Sequence, residues 1–437
     1  MMVSLRSLLL LGGVVGSAWG KAGLYGLNIA GFEFGCDING TCPLNQIVPP
    51  LLSLKGGDGA GQMAHFVKDD GMNVFRLPVS WQYLTNNVIG PLYEKNFAQY
   101  DKLMQSCLDV GAYCVLDVHN FARWNGGIIG QGGPTNKEFA DLWTQLATKY
   151  ADSEFVIFEL MNEPNDLIFD DWVVSSQAAV NAIRAAEAVP HIILLPGNNF
   201  SSAGTFISSG WGAAMANITN PDKSTTNLIF DLHKYLDIDN SGDHEECVMD
   251  NIALTFEPVA AWLRTNKRQA IVSETGAAAS DSCFIDFCAQ NSYLNNASDV
   301  YIGYIAWGAG SLGTKYLLDL TPSRTGTKWT DMPMAVSCVI DVWETAAAVV
   351  TPVWGLSLAT ANVSTMTSSS IPAILTGTAT QVYNGGSVGT QTSLGAGTTK
   401  TLSPDGSTGG GSQNSASGVK VGGGLMTGSL LLALVML

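Results

Sequence analysis

Two glutamates stand at the ends of apolar segments, where a buried strand would not need them. Glu163 follows the apolar part of FELMNEP, and Glu274 closes QAIVSE. Two carboxyl groups in one site can divide acid–base work, because one protonates a leaving oxygen while the other attacks or activates water, as in the cleavage of a glycosidic bond. This division requires two different environments, so that one of the carboxyl groups stays protonated.

Other polar or aromatic residues follow apolar runs in the same way, and burying them would cost several kcal/mol unless they pair with each other or with a ligand. We expect Arg76 and Tyr235 to keep Glu274 ionised, while a nearby negative charge helps to raise the pKa of Glu163. Each residue alone has a structural explanation, such as a core histidine or a surface ion pair. Together they indicate a binding site formed by Arg76, His119, Asn120, Asn162, His233, Tyr235 and Trp307.

The elements that would position these residues alternate between strands and helices. Most strand-like runs are continuously apolar, which suits a parallel sheet covered on both faces. The runs are 24–30, 72–79, 113–119, 155–161, 191–197, 227–233, 269–274 and 300–307, with helical patterns at 96–111, 136–150 and 254–266. Eight such units predict a (β/α)8 TIM barrel, whose site lies at the carboxyl ends of the strands.

Two features of this pattern leave room for other interpretations. A doubly wound sheet is the alternative fold, but the Gly-rich phosphate loop that normally follows its first strand is missing from the sequence. Asp117 and Asp231 fall inside strands, so we interpret them as packing groups of the barrel rather than as site residues. We expect Pro164 to end the fourth strand, since proline cannot donate to a strand ladder.

Composition narrows the classes of ligand. The formal net charge is −16, which argues against nucleic acid as a partner, whereas 11 Trp and 12 Tyr suit a neutral ligand. The cysteine and histidine spacings match no zinc site, and DHEEC at 243–247 fits a solvated loop before a disulfide better than a metal site. We therefore expect no metal and no cofactor.

The ends of the chain carry features of secretion. Residues 1–20 combine Arg6, a short apolar stretch and small residues before Lys21, which predicts a signal peptide. Eight Cys fit disulfides in an oxidising compartment. Sequons that could be glycosylated occur at Asn39, Asn199, Asn217, Asn296 and Asn362.

The composition changes after the predicted barrel domain, residues 21–350. Residues 351–418 are rich in Ser, Thr and Gly, which predicts a disordered stalk with O-glycosylation. Residues 419–437 end in an apolar tail preceded by small residues, which predicts a GPI-attachment signal. An apolar remnant of a disordered tail is the alternative. We expect a secreted protein anchored at the cell surface or wall, in contact with membrane only through that anchor.

The ordered motifs also resemble glycoside hydrolase family 5, specifically the fungal secreted endo-β-1,4-glucanases, over residues 24–345. LMNEP is similar to the acid/base signature of that family and VSETG to its nucleophile signature. The other similar segments are NIAGFEFGC, RLPVSW, DVHNFARWNGGIIGQGGPTN, DLHKYLDIDNSG and AWGAGS.

The resemblance implies a retaining mechanism, with Glu163 as acid/base and Glu274 as nucleophile. It implies that Asn162 bonds the sugar 2-OH and that Trp307 forms a floor under the sugar, in a monomer acting on β-glucan. It also implies the pairs Cys36–Cys42, Cys107–Cys114, Cys247–Cys283 and Cys288–Cys338. The alternatives are a wall hydrolase or transglycosylase on β-1,3- or mixed-linkage glucan, and a non-catalytic carbohydrate-binding protein at the cell surface.

Overall fold

A computed structural model describes residues 21–186, 188, 191–313 and 315–346. The predicted signal peptide, the stalk, the GPI-attachment signal and the last residues of the predicted barrel domain lie outside these ranges. Within them, eight parallel strands close into a barrel, in which the first strand pairs with both the second and the last, so the predicted (β/α)8 fold is confirmed. In the described residues, no helix is long and apolar enough to cross a membrane.

The barrel strands follow the predicted apolar runs closely, with two small hairpins added outside the barrel. The strands are β1 (Leu24–Ala30), β2 (Val74–Val79), β3 (Tyr113–Val118), β4 (Arg123–Trp124), β5 (Gly127–Ile128), β6 (Val156–Glu159), β7 (Ile193–Pro196), β8 (Leu228–His233), β9 (Ala270–Thr275), β10 (Tyr301–Gly310), β11 (Ser323–Thr325) and β12 (Lys328–Thr330). The fourth barrel strand, β6, ends at Glu159, well before Pro164, so proline does not end it as we expected.

Helices cover the outside of the barrel. They are α1 (Gly59–Asp70), α2 (Trp81–Thr85), α3 (Glu94–Asp109), α4 (Asn136–Lys149), α5 (Phe169–Ala185), α6 (Asn198–Ser201), α7 (Trp211–Met215), α8 (Glu257–Asn266), α9 (Asp281–Asn296), α10 (Pro333–Ala335) and α11 (Asp341–Glu344). Short 3-10 turns lie at Leu44–Gln46, Leu52–Leu54 and Ala203–Thr205, and π turns at Ile252–Phe256 and Val336–Ile340.

Local sequence explains where these helices begin. The Thr135 side chain accepts from the backbone of Glu138, whose carboxylate returns to Thr135, and this capping box starts α4 where the helical pattern predicts it. The predicted helix at 254–266 divides into a π turn and α8, and Pro258 occupies the first turn of α8, where its missing N–H costs nothing.

The interior of the barrel has an apolar lower part and a polar upper part. Side chains along a strand alternate between its two faces, so every second residue points inward. In β3, Val115 belongs to an apolar cluster that also contains Val74 and Ile157. Two residues further along these strands, Asp117, Arg76 and Glu159 are fully buried and polar. This polar layer supports the mouth of the barrel.

Four disulfides stabilise the loops and helices around the barrel. They join the same pairs that the family resemblance implies, Cys36–Cys42, Cys107–Cys114, Cys247–Cys283 and Cys288–Cys338. The DHEEC segment ends in the third of these bonds, which ties the loop after β8 to α9.

Candidate active site

Glu163 and Glu274 lie together at the mouth of the barrel. Glu274 is the fifth residue of β9, and Glu163 follows β6 by four residues in a left-handed backbone conformation, with φ of 46°. One oxygen from each carboxylate and one nitrogen of His233 all lie within 4.8 Å of one another. The two carboxyl groups are therefore close enough to act on one bond.

The Glu274 carboxylate receives a hydrogen bond at each oxygen. Arg76 Nη1 donates to Oε2 at 2.7 Å, and the Tyr235 hydroxyl donates to Oε1 at 2.8 Å. Both donors are buried. A carboxylate that accepts a hydrogen bond at each oxygen cannot rotate freely, so the two donors fix its orientation.

Arg76 is the centre of this network. Its Nε and Nη2 form a bidentate pair with Glu159, at 2.6 Å each, and Nη2 also lies 2.9 Å from Asp117 Oδ2. Arg76 additionally donates to Asn28 and Asn162, at 3.0 and 2.7 Å. One guanidinium thus connects its own strand, β2, to four other barrel strands and to the segment that carries Glu163.

Glu163 has a different environment from Glu274. His233 Nδ1 lies 2.8 Å from Glu163 Oε1. Burial raises the pKa of the Glu163 carboxyl to about 8, although 16% of the side chain remains exposed at the mouth. Negative charges on Asp117 and Glu159 raise that pKa further, while Arg76 lowers it. Burial is thus the main cause, and the negative charge that we expected from the sequence is a lesser one.

His233 is suited to position Glu163 rather than to carry a charge. Burial lowers the pKa of His233 to about 4, so the ring is neutral over most of the pH range. Its Nε2 has no hydrogen-bond partner within the described part of the chain and lies 3.8 Å from Asp231 Oδ2. The other ring nitrogen, Nδ1, is at hydrogen-bonding distance from Glu163 and lies 3.9 Å from Glu274 Oε1. The imidazole therefore contacts Glu163 directly and Glu274 more distantly.

Trp307 and His119 line a cleft of about 240 Å³ at the mouth, together with Glu33 and Tyr316. The two rings stack with their centroids 5.8 Å apart. The indole Nε1 of Trp307 donates to the Tyr316 hydroxyl at 2.8 Å, and His119 Nδ1 lies 2.7 Å from Asp117. These contacts fix the orientation of both rings, and the cleft gives the carboxylate pair a neighbouring surface for a ligand.

The two asparagines predicted for the site differ in their surroundings. Asn162 accepts from Arg76, while its Nδ2 is buried and has no partner among the described residues. Asn120 is fully buried and its amide is occupied, because Oδ1 accepts from the backbone of Trp81 and Nδ2 donates to Gln82. Asn120 therefore supports the loop after β3 and does not offer its amide to a ligand.

The network also contains residues that the sequence patterns did not predict. Glu159 lies inside the apolar run that leads to Glu163, and Asp117 was interpreted as a packing group. Both pair with Arg76, so Asp117 belongs to the site network. Asp231 accepts from Ser273 and lies near His233. Side chains two residues apart in a strand share a face. This spacing could have shown that Asp117, Glu159 and Asp231 lie on the inward face with Arg76.

A parallel eight-stranded barrel with two carboxyl groups in unlike environments at its mouth is the arrangement of a glycoside hydrolase. The comparisons with known proteins agree. The family model described as Cellulase (glycosyl hydrolase family 5) matches residues 40–311. The chain belongs to this family.

Relatives and solved structures extend the match over the barrel. Endoglucanase EG-II of Hypocrea jecorina is 55% identical over 319 residues, covering 72% of this chain and 76% of that protein. Endoglucanase 1 of Saitozyma flava is 44% identical, covering 69% of this chain and 85% of that protein. The crystal structure of Cel5A (EG2) from Hypocrea jecorina superposes with a TM-score of 0.72 and 54% identity, covering 73% of this chain and 99% of that one.

Proposed function

We propose that the protein is an endo-β-1,4-glucanase that hydrolyses internal bonds of cellulose and related β-glucans with retention of configuration. The observation that carries this proposal is the short distance between two unlike carboxylates, with oxygens of Glu163 and Glu274 within 4.8 Å. Retaining enzymes separate the two carboxyl groups by about 5–5.5 Å, whereas inverting enzymes leave about 6.5–9.5 Å for a water molecule. Relatives named endoglucanases support the substrate class.

In the proposed first step, Glu274 attacks the anomeric carbon and forms a covalent glycosyl-enzyme. Arg76 and Tyr235 hold its two oxygens and so orient the attacking one. Glu163 gives its proton to the departing glycosidic oxygen, since burial raises its pKa to about 8 and keeps it protonated at neutral and acidic pH. The bond between the anomeric carbon and that oxygen breaks as the new ester bond forms.

In the second step, Glu163 acts as a base, because it lost its proton in the first. It takes a proton from water, the water oxygen attacks the anomeric carbon, and Glu274 leaves as a carboxylate. We assign the unpartnered Nδ2 of Asn162 to the sugar 2-OH, and Trp307 to the apolar face of the same sugar. The reaction uses no cofactor, because the two carboxyl groups supply the proton and the nucleophile.

The proposal extends to where the protein works. Four disulfides and the fungal endoglucanase relatives support secretion. We further propose a monomer held at the cell surface by a GPI anchor on an O-glycosylated stalk, as the composition of residues 351–437 predicts. An anchored enzyme would act on plant polymer near the cell or on glucan of its own wall.

The test replaces each carboxylate in turn. We expect Glu163→Gln and Glu274→Gln to lower turnover of carboxymethyl-cellulose by orders of magnitude, while circular dichroism shows an unchanged fold. Glu257→Gln, an exposed glutamate at the start of α8, is the matched control and should retain full activity. Wild-type activity in either active-site variant would refute the assigned roles.

A substrate panel tests the linkage. Initial rates on carboxymethyl-cellulose, mixed-linkage barley glucan and laminarin separate a β-1,4-glucanase from the β-1,3- or mixed-linkage alternative. NMR of the first product gives its anomeric configuration, and α-anomer as the first product would refute retention. Binding to cellulose without release of reducing sugar would instead indicate a carbohydrate-binding protein.

A further inference from the structure

A cavity lies at the amino end of the barrel, opposite to the mouth that holds Glu163 and Glu274. Its wall is formed by Arg184, in the last turn of α5, and by the loop 220–226, and these segments lead to the amino ends of two paired strands, β7 and β8. Its volume is about 390 Å³, within the range of about 300–1,000 Å³ typical of ligand pockets. We call it the basal cavity, and it is lined by Arg184, Asn220, Pro221, Asp222, Ser224 and Thr226.

Arg184 is buried and held in one orientation. Its Nε donates to Asn220 Oδ1 at 2.8 Å, and its Nη1 donates to the carbonyl oxygen of Ala188 at 2.7 Å. Arg184 and Asn220 are each only 8% exposed. Nη2, which carries two hydrogens, has no hydrogen-bond partner in the described part of the chain. Two nitrogens thus fix the guanidinium, and the third is left for a ligand.

The positive charge of Arg184 has no ion-pair partner among the residues that the structure describes. Burial lowers the pKa of Arg184 to about 10, and the charge of Asp222 offsets this effect only in part. The chain has 37 acidic residues against 21 basic ones, so the missing partner does not reflect a shortage of carboxylates. A buried charge without a partner is costly, and an anionic group in the cavity would remove this cost.

The loop 220–226 offers further polar groups in a fixed arrangement. Asn220 Nδ2 donates to Ser224 Oγ at 3.0 Å and to the carbonyl oxygen of Thr226 at 2.9 Å. Because Ser224 Oγ accepts this bond, its own O–H can be donated to a ligand. The backbone N–H of Ser224 donates to Asp222 Oδ1 at 2.9 Å, which holds that carboxylate at the rim. A site ordered in this way needs little further ordering when a ligand binds.

These groups fit a sugar that carries a carboxylate better than they fit a free anion. Arg184 and the Ser224 hydroxyl are donors for a carboxylate. Asp222 repels phosphate and sulfate, but it accepts hydrogen bonds from sugar hydroxyls. Pro221, Asp222 and Thr226 are exposed, so the cavity is open to solvent along this loop and leaves room for the rest of a polysaccharide chain. The proline ring also offers an apolar surface to the C–H face of a pyranose.

We propose that the basal cavity binds a uronic acid unit of an acidic polysaccharide, with the sugar carboxylate on Arg184 and sugar hydroxyls on Asp222. A uronic acid unit supplies an anion and several hydroxyls on one ring, which is the combination that the lining requires. The site is independent of the proposed hydrolysis, because it lies at the opposite end of the barrel. It holds the enzyme on a polymer that it does not cut, while the mouth of the barrel stays open to the glucan.

A ligand-observed NMR titration of the full chain with methyl glucuronoside tests the site. We expect a Kd on the order of 1 mM, as is usual for so small a ligand, and no binding of methyl glucoside, which lacks the carboxylate. Arg184→Gln should weaken binding of methyl glucuronoside by about tenfold, the value of one hydrogen bond to a charged group. Lys223→Gln is the matched control and should leave the Kd unchanged, because it removes an exposed cation of the same loop that does not line the cavity.

Asp222→Asn provides a second test at an exposed position. We expect it to weaken binding of methyl glucuronoside by about fivefold, the difference between a hydrogen bond to a charged group and one to a neutral group. The same variant should bind inorganic phosphate more tightly than wild type does, because a repelling charge is removed. These opposite changes decide the question if Arg184→Gln does not fold, since a general loss of structure would weaken both ligands.

The outcomes either support the site or overturn it. Weaker binding of methyl glucuronoside in Arg184→Gln and Asp222→Asn, but not in Lys223→Gln, supports it. Absence of binding to wild type, equal binding of methyl glucoside, or wild-type affinity in folded Arg184→Gln overturns it. Asp222→Asn that changes both ligands in the same direction also overturns it. Competitive inhibition of cellotetraose hydrolysis by methyl glucuronoside would locate this ligand at the mouth of the barrel and overturn the basal site, whereas an unchanged kcat/KM supports it.

Discussion

Replacing Arg76 by lysine tests whether one guanidinium holds the polar layer of the barrel together. Arg76 is fully buried, forms the bidentate pair with Glu159 at 2.6 Å and donates to Glu274 at 2.7 Å. A lysine keeps the charge but concentrates its donors at one point, so it cannot serve both carboxylates in these directions. At least two hydrogen bonds to charged groups are lost, each worth about 1.5–3 kcal/mol. Allowing for relaxation, we expect the free energy of unfolding to fall by about 3 kcal/mol.

Arg264→Lys is the control for this substitution. Arg264 forms the same bidentate geometry with Asp299, at 2.6 and 2.8 Å, but both side chains are more than a third exposed. Exposed pairs contribute about 0–1 kcal/mol, so the control should change little. Urea denaturation measures both variants, and turnover of carboxymethyl-cellulose should fall only in Arg76→Lys, because Glu274 loses an orienting donor. Equal unfolding free energies in the two variants, or full turnover in Arg76→Lys, would refute the reasoning.

Two further predictions concern pH and disulfides. Burial raises the pKa of Glu33 to about 8, so its contribution to stability is complete below the unfolded pKa of about 4.3 and is lost as pH rises through 8. Glu33→Gln should therefore reduce the loss of unfolding free energy between pH 5 and pH 8 by about 3–4 kcal/mol, since each pH unit in this window contributes about 1.4 kcal/mol, and an unchanged loss contradicts this. Chain entropy assigns about 4 kcal/mol to Cys288–Cys338, at a sequence separation of 50, and about 2 kcal/mol to Cys36–Cys42, at a separation of 6. Replacing each pair by serines and measuring urea denaturation should give losses in that order, and the reverse order rejects loop closure as the main cause.

The sequence was sufficient to predict the barrel because its strands are continuous apolar runs with polar residues at their exits. That pattern arises from burial on both faces together with a site at one end, and it placed Glu163, Glu274, Arg76, His233 and Tyr235 near one another. The structure brings these five side chains into one network. The apolar runs do not mark the strand boundaries, since the ladder of β6 ends at Glu159 while the run continues to Met161.

The missed residues share a physical reason. A polar residue inside an apolar run can face a helix, the barrel interior or the mouth, and its type alone does not distinguish these directions. Asp117 and Glu159 face inward because each lies two residues after an inward-facing apolar residue, Val115 or Ile157, and so shares its face of the strand. Asn120 shows the converse case, a residue at a strand exit whose amide is bonded to the adjacent loop.

The polar layer also explains how the two candidate catalytic carboxylates become different. Burial raises the pKa of Asp117 to about 7 and also raises that of Glu159, so the layer contains more acids than its single cation can neutralise. Among the hydrogen bonds of the described residues, Arg76 donates one to Glu274 and none to Glu163. Glu163 instead faces a histidine kept neutral by burial. The direction of one guanidinium therefore distinguishes the two glutamates, because it orients Glu274 and leaves Glu163 without a cationic donor. The segment FELMNEP supplies both Glu159, which orients that guanidinium, and Glu163, whose pKa is raised to about 8 by burial.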